Sequence, residues 1–270
     1  MRSVALLVSY KGEPFCGFAR QEGLLTVQGE LEQALRVVFR REVPTVCAGR
    51  TDSGVHAIGQ VVSLELSQSE IDAKGLPALV RSINALTHDG MCARDAVLVP
   101  AGFSARFDAD WREYRYRVAV GRDRPLLTDD FTWWVGSCEH LDLQAMGKAC
   151  ARLVGEHDFK SFCVAASAEG KNTVREIISM ELLEDNAFGE RATVLKVVGT
   201  AFLHSMVRTL VGTLMEVGCG RRDPEWVSKV LEAKDRRAAG QTAPAKGLVF
   251  WHVEYGCIPE WSTRQTEALQ

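Results

Sequence analysis

The chain has 270 residues, of which 46% are apolar and 25% are charged. These values are typical of a soluble globular protein with one large domain or two of about 130 residues. No apolar run is long enough to span a bilayer, and no small-residue cleavage site follows the short apolar run at the N-terminus. We therefore expect a cytoplasmic protein that neither spans a membrane nor carries a signal peptide.

The eight cysteines are scattered, and none of them forms a Cys-x-x-Cys pair. This spacing indicates neither a zinc site nor a disulfide framework, so free thiols in a reducing compartment are expected. The net charge of −3 argues weakly against a nucleic-acid partner, because domains that bind nucleic acids are usually basic. Three arginine doublets can nevertheless line one face, although each alone is typical of solvated surface: Arg40-Arg41, Arg221-Arg222 and Arg236-Arg237.

The first hundred residues predict the order strand, helix, strand, strand, helix, strand. Alternating apolar residues predict strands, and apolar residues at helical spacing predict helices. The predicted strands are 3–10, 43–48, 62–66 and 92–99, and the predicted helices are 27–40 and 77–86. Thr26 is the expected N-cap of the first helix. This order is typical of the ferredoxin-like split βαβ arrangement.

The second half repeats this element order with longer insertions, after a connector at 103–110. Its predicted strands are 111–120, 178–182, 191–202 and 248–255, and its predicted helices are 143–153, 203–217 and 223–233. Asp223-Pro224 is expected to cap and open the last helix. The fold class is therefore α+β, with two ferredoxin-like (split βαβ) halves forming a largely antiparallel sheet with helices on one face. We predict halves at 1–105 and 106–260 and a flexible tail at 261–270.

The decapeptide at 48–57 carries the strongest chemical signal. Glycines on both sides of Asp52 let the backbone bend and approach a ligand closely. Arg50 lies two residues before Asp52 and can hold its carboxylate ionised by charge pairing. An ionised carboxylate in a glycine-hinged loop is typical of a nucleophile or a general base. Asp52-Ser53-Gly54 alone is also ordinary turn chemistry, with Arg50 as a surface partner.

This decapeptide resembles, nearly letter for letter, the catalytic loop of the tRNA pseudouridine synthase A family. Similar segments follow in family order over about residues 5–255. They include Ser9-Tyr10-Lys11-Gly12, Thr26-Val27-Gln28, Asn84-Ala85-Leu86, Phe103-Ser104-Ala105-Arg106-Phe107, Tyr114-Arg115-Tyr116, Gly155-Glu156-His157-Asp158-Phe159, Phe202-Leu203-His204 and Met206-Val207-Arg208. One departure is Ala19, where the family usually has a glutamine. It affects an expected polar contact of the aromatic-glycine loop at 15–18 and not the chemistry at Asp52.

The resemblance implies an isomerase that converts uridine to pseudouridine at positions 38 to 40 of the tRNA anticodon arm. It implies that Asp52 is the essential nucleophile and that the ring of Tyr114 supports the flipped-out base. Arg50 and Arg208 are candidates for the cation that keeps the carboxylate charged, and Leu248 for the apolar wall of the uracil pocket. The family works as a homodimer around tRNA, needs no cofactor, and has its catalytic cleft between the two halves.

Other interpretations of these residues stay open. The chain can be a catalytically inactive or retargeted RNA-binding paralogue of the same fold. A glycosidase acting on a small molecule would need a second carboxylate near Asp52, and none stands out. Tyr114 alone is typical of a half-buried strand, and Arg208 is either snorkelling from its apolar helix or aimed at the site. His56 and His204 are expected to be structural hydrogen-bonding groups.

Overall fold

A computed structural model describes residues 1–258 of the chain. The fold is mixed α+β with a mostly antiparallel sheet. The strands are β1 (Arg2–Tyr10), β2 (Val46–Cys47), β3 (His56–Leu66), β4 (Met91–Leu98), β5 (Trp111–Val120), β6 (Trp133–Val135), β7 (Gly155–Asp158), β8 (Val174–Ala187), β9 (Glu190–Gly199) and β10 (Leu248–Glu254). The helices are α1 (Val27–Phe39), α2 (Gln68–Lys74), α3 (Leu76–Leu86), α4 (Leu143–Ala151), α5 (Ala165–Ala168), α6 (Met206–Gly218) and α7 (Trp226–Ala233). None of the helices within residues 1–258 combines the length and apolar character that a membrane crossing requires.

The chain divides into two compact units. The first unit comprises Met1–Arg112 and the residues from Phe250 onward, and the second comprises Glu113–Val249. The chain therefore passes between the units within β5 and within β10. The predicted halves divide the chain at one point, whereas these units assign most of the last strand to the first unit. The division into halves at 1–105 and 106–260 stays a prediction. The predicted tail at 261–270 lies outside the described residues.

In the first unit the strand order is β4-β1-β3-β10. β1 pairs antiparallel with both β3 and β4, and β2 pairs antiparallel with β3. The alternation at 62–66 predicts a strand with one solvated face, but Ser63 is buried. Its Oγ donates to the Val46 carbonyl at 3.4 Å and accepts from the Ala105 amide at 3.0 Å. The Ser63 hydroxyl is thus satisfied inside the core instead of by water.

Helix α1 begins where its sequence predicts. The Oγ1 of Thr26 accepts from the Gly29 amide at 3.2 Å, so the predicted N-cap is confirmed. Glu32 in this helix is buried. One Glu32 carboxylate oxygen accepts from the amide of Thr45 at 3.0 Å and from its hydroxyl at 2.9 Å. This buried carboxylate fastens the helix to the segment that leads into β2.

In the second unit the strand order is β5-β9-β8-β7, with β6 parallel to β5. Four 3-10 turns join its elements: Asp129–Phe131, Phe159–Phe162, Arg236–Ala238 and Ala245–Gly247. The strand predicted at 111–120 is confirmed as β5. The predicted cap of the last helix is wrong, because α7 begins at Trp226 and no side chain caps it. Asp223 contributes its carbonyl, which accepts from the Trp226 amide at 3.0 Å.

Helix α6 is buried over most of its length and packs closely against the chain at 240–241. A Cβ on Gly212 would overlap the Gln241 carbonyl, and a Cβ on Gly240 would approach the Gly212 carbonyl oxygen to 2.7 Å. The hydroxyl of Thr213 accepts from the Gly240 amide at 3.0 Å and holds this approach. Two glycines therefore allow main chain to lie directly on the helix.

Replacing Gly212 by alanine is expected to lower the free energy of unfolding by about 1–3 kcal/mol, because the core cannot accept the added methyl group. Gly147 in α4 is exposed, with nothing within 4 Å of its Cβ position. The same substitution there is expected to raise the free energy of unfolding by about 0.5–1 kcal/mol, since alanine favours helix. Denaturant unfolding checks both values, and equal effects at the two positions would contradict the packing argument.

Candidate active site

Asp52 lies in a turn, residues 51–55, just before β3. Thr51 is buried, Asp52 is half-buried and Ser53 is exposed. The Val55 amide donates to the Asp52 carbonyl at 3.1 Å and closes the turn. The turn that Asp52-Ser53-Gly54 predicts is therefore present. It holds a half-buried carboxylate on a short, closed piece of main chain.

A buried polar network of Tyr10, Thr51 and Gln60 supports this turn. The hydroxyl oxygens of Tyr10 and Thr51 lie 2.8 Å apart and share a hydrogen bond. Gln60 Nε2 donates to the Gly49 carbonyl at 2.7 Å and to the Tyr10 hydroxyl at 3.3 Å. Burial raises the pKa of the Tyr10 phenol, with the hydrogen bonds from its neighbours opposing the rise. A neutral Tyr10 thus keeps Thr51 in place at neutral pH.

Residues 11–18 pack against the turn and form hydrogen bonds with it. The Gly12 amide donates to His56 Nδ1 at 3.0 Å, and the Phe18 amide donates to the Thr51 carbonyl at 3.1 Å. Ser53 Oγ donates to the Phe15 carbonyl at 3.2 Å. A Cβ on Gly12 would overlap main-chain atoms of the turn, so only glycine fits there. His56 takes the structural hydrogen-bonding role that its sequence context favours.

Arg50 is exposed at the start of the loop. Burial raises the pKa of the nearby Cys47 thiol to about 11, and the positive charge of Arg50 opposes that rise. The expected charge pairing of Arg50 with Asp52 stays a prediction. Both residues belong to the first unit.

Tyr114 lies in the second unit, on β5, and is buried. The Phe202 ring packs edge-on against it, with ring centroids 5.0 Å apart and an interplanar angle of 79°. Phe202 follows β9 and precedes α6, so the loop that leads into α6 supports the tyrosine ring. His204 in the same loop is exposed, and its carbonyl accepts from the Val164 amide at 3.3 Å.

Arg208 lies in the first turn of α6 and is half-buried. Its Nε donates to the Ala243 carbonyl at 2.8 Å, and the Ala243 amide donates to the Arg208 carbonyl at 3.1 Å. Whether Arg208 extends to water or is aimed at the site stays a prediction. The reciprocal pair fixes the plane of the guanidinium against the main chain at 243.

Leu248 opens β10 and is buried. The segment that leads into it, 243–247, rests on Tyr116. The Tyr116 hydroxyl donates to the Pro244 carbonyl at 2.7 Å, and a Cβ on Gly247 would meet the Tyr116 ring at 2.6 Å. Burial raises the pKa of this phenol, and the charge of Arg208 opposes the rise. Tyr116 therefore supports the segment that holds Arg208 and precedes Leu248.

The sequence arguments overlooked Tyr116 and Phe202 as supports of the site. Tyr116 has a signal in the pattern Tyr114-Arg115-Tyr116, because two positions along a strand return to the same face. Phe202 has a signal only in the segment Phe202-Leu203-His204 that resembles the family, and its contact with Tyr114 on β5 is visible only in the folded chain. Within residues 1–258, no group of three His, Cys, Asp or Glu side chains is placed to hold a metal ion.

The chain matches the family model described as tRNA pseudouridine synthase over residues 6–108 and 149–256. The chain belongs to this family. The tRNA pseudouridine synthase A of Anoxybacillus flavithermus (strain DSM 21510 / WK1) is 39% identical over 256 residues, which cover 94% of this chain and 99% of that protein. The enzyme of the same name from Bacillus subtilis (strain 168) is 40% identical over 250 residues, covering 92% and 97%.

Among solved structures, the crystal structure of a Cbf5-Nop10-Gar1 complex is similar with a TM-score of 0.37 and 16% sequence identity. The similarity covers 78% of this chain and 45% of that chain. The two segments that match the family model contain Asp52, Arg50, Arg208 and Leu248, while Tyr114 lies between them.

Replacing Gly17 by alanine is expected to slow pseudouridine formation in tRNA by about 10- to 100-fold, because it displaces the Asp52 turn. Gly17 has φ of +90°, and its added Cβ would lie 3.0 Å from the Thr51 carbonyl oxygen. Gly23 is the matched control, since it has φ of +74° and nothing within 4 Å of its Cβ position. Both variants carry backbone strain, but only the first presses on the turn.

The rates of both variants are measured at saturating tRNA, together with their thermal unfolding. An equal loss of rate in Gly23→Ala would contradict a specific effect of position 17 on the turn.

Proposed function

We propose that this protein converts uridine to pseudouridine at positions 38 to 40 in the anticodon stem-loop of tRNAs, with Asp52 as the nucleophile. Membership in the tRNA pseudouridine synthase family makes the chain an isomerase that acts on uridine in tRNA. The observation that carries the residue assignment is the half-buried turn at Asp52, held from below by Tyr10 and from the side by residues 11–18. A fixed carboxylate of this kind suits nucleophilic catalysis.

The reaction exchanges one bond to the ribose for another. The bond between ribose C1′ and uracil N1 breaks, the base turns, and C5 bonds to C1′. The proton on C5 leaves and N1 gains a proton, so substrate and product have the same composition. The Asp52 carboxylate forms a transient adduct, on the ribose or on the base, and is released again when C5 bonds to C1′. No electron is transferred, so the chemistry requires no redox cofactor.

The second unit supplies three of the four residues proposed to bind the target nucleotide, and the first unit supplies Arg50. A base within a stem must swing out to be reached, and the ring of Tyr114 supports it there. Leu248 forms an apolar wall that keeps water from the intermediate. Arg208, with its plane fixed by Ala243, and Arg50 supply positive charge for the carboxylate and the RNA.

We further propose that the fold consists of two ferredoxin-like halves, with helices on one face and the catalytic cleft between the halves. In the first unit, β1 between β3 and β4, with β2 on β3, follows the strand order of a split βαβ unit and supports this proposal. A cytoplasmic homodimer around one tRNA is part of the same proposal, because the family resemblance implies it.

The alternative is a catalytically inactive or retargeted RNA-binding paralogue. Asp52, Arg50 and Tyr114 are all present, which favours an active enzyme. A retargeted paralogue would form pseudouridine outside positions 38 to 40. Mapping pseudouridine in the tRNA of cells with and without this protein separates a shifted target from the proposed one.

Replacing Asp52 by asparagine is expected to reduce tritium release from tRNA labelled at C5 of uridine by at least about 10³-fold, since an amide forms no adduct. Asp72→Asn is the matched control. Asp72 is exposed on α2 and accepts from Gln68 Nε2 at 2.8 Å, so its loss is expected to leave the rate within about 2-fold. Equal release by the unsubstituted chain and by Asp52→Asn would refute the nucleophile, and no release by either would refute the enzyme.

Two substitutions of Tyr114 separate its ring from its hydroxyl. Tyr114→Ala is expected to lower kcat/KM and so to raise the corresponding activation free energy by about 1–3 kcal/mol. This is the usual contribution of stacking one base on an aromatic ring. Tyr114→Phe keeps the ring and its contact with Phe202, so a change below about 1 kcal/mol is expected. Single-turnover kinetics on tRNA measure both values. Should the phenylalanine variant lose as much as the alanine variant, the phenol would be the essential group.

A further inference from the structure

A cluster of cations occupies one part of the second unit. It consists of Lys160, Arg175, Lys234, Arg236 and Arg237, and we call it the basic cluster. Lys234 Nζ lies 3.0 Å from an Asp158 carboxylate oxygen, and Arg237 Nη2 lies 2.7 Å from one of Asp235. The other three cations form no ion pair within residues 1–258. The whole chain has a net charge of −3, so this local positive excess runs against its overall composition.

Buried contacts hold the basic cluster together. Ser161 is fully buried, and its Oγ accepts from the Asp235 amide at 2.9 Å. This bond joins the turn that carries Lys160 to the turn that carries Arg236 and Arg237. Burial raises the pKa of the Cys163 thiol, and the charges of Arg175, Arg236 and Lys160 all oppose the rise. These three cations therefore lie near the same buried thiol, together with the Asp158 carboxylate, whose charge adds to the rise.

The segment at 155–159, which resembles the family, holds the basic cluster in place. The mechanism uses none of its residues, yet Asp158 organises the cluster. Its carboxylate accepts from the Lys160 amide at 3.2 Å and pairs with Lys234 at the end of α7. Phe159 is fully buried beside it. The motif is thus a scaffold that brings distant cations to one surface.

The basic cluster is continuous with the segment that holds Arg208. Arg236 Nη1 donates to the Gly240 carbonyl at 2.9 Å, and its Nη2 donates to the Thr242 hydroxyl at 2.8 Å. The next residue, Ala243, makes the reciprocal bonds with Arg208. Arg236 and Arg208 are therefore held by the same short segment, residues 240–243.

Arg175 also has an unsatisfied donor. Its Nη1 donates to the carbonyls of Asn172 at 3.1 Å and Val174 at 2.6 Å. Its Nε is buried and has no hydrogen-bond partner within residues 1–258. The bonds from Nη1 hold the guanidinium against the main chain at 172–174, so Arg175 contributes its positive charge from a fixed position.

We infer that the basic cluster binds the phosphates of the RNA backbone that flank the target nucleotide, and this inference rests on the proposed function. Ammonium and guanidinium groups on exposed side chains fix the position of a backbone without reading bases. Such contacts suit an enzyme that accepts several neighbouring uridines, because phosphates repeat along the strand whatever the sequence.

The test removes two exposed cations, in the double variant Lys160→Gln with Arg237→Gln. Binding of the full chain to tRNA is measured by fluorescence anisotropy over a range of salt concentrations. The Kd at ~100 mM salt is expected to rise about 5- to 30-fold, and the slope of log affinity against log salt to become shallower by about 1.4–1.8. The matched control is Lys148→Gln with Arg191→Gln, which removes the same charge from exposed positions elsewhere in the second unit.

The measurement is repeated with the isolated anticodon stem-loop. A loss of affinity that persists with this short RNA supports contact with the flanking phosphates. An unchanged Kd, an equal loss in the control variant, or a loss confined to whole tRNA would each overturn the inference. Tritium release by the unsubstituted chain is scored separately, so failure of the proposed function and failure of the basic cluster give different results.

Discussion

The Asp52 turn depends on the close approach of two pieces of main chain. Residues 11–18 pass so near to it that a side chain on Gly12 would overlap its backbone atoms. Hydrogen bonds from the Gly12 and Phe18 amides and from Ser53 Oγ cross the same gap. The turn therefore cannot shift without breaking several bonds at once. For the nucleophilic role proposed for Asp52, a carboxylate fixed in this way would lose little freedom on attack, which lowers the entropic cost of the reaction.

The second unit fixes its cation by the same principle. Arg208 is held by main-chain atoms of Ala243, and these are held by the buried hydroxyl of Tyr116 through Pro244. Glycine again makes the approach possible, since Gly212 and Gly240 together let residues 240–241 lie against α6. Both groups of proposed site residues thus rest on backbone contacts more than on side-chain pairs. A backbone atom does not move when a side chain changes rotamer, whereas a side-chain atom does. Supports made of backbone atoms therefore preserve the positions of the site residues well.

Short sequence patterns predicted local structure such as helix caps. They did not predict contacts between residues that are far apart in the chain. The Thr26 cap depends on residues three positions apart and was therefore predictable. Helix α2 begins with a capping box at Ser67, a readable signature that was overlooked. The burial of Glu32 depends on a partner thirteen positions away, and the closeness of Gly12 to the Asp52 turn depends on the whole sheet. Asp52 itself was found because a short motif carried it, whereas its supports are dispersed along the chain.

Net charge was a misleading guide because it averages over the whole surface. A value of −3 argues weakly against an RNA partner, yet five cations meet around Ser161 and Asp158. At physiological ionic strength the field of a charge fades within about 8 Å, so an approaching phosphate senses local charges and not the total. A mildly acidic chain can therefore hold RNA wherever its fold gathers cations. Negative charge elsewhere then discourages RNA from settling on the wrong face.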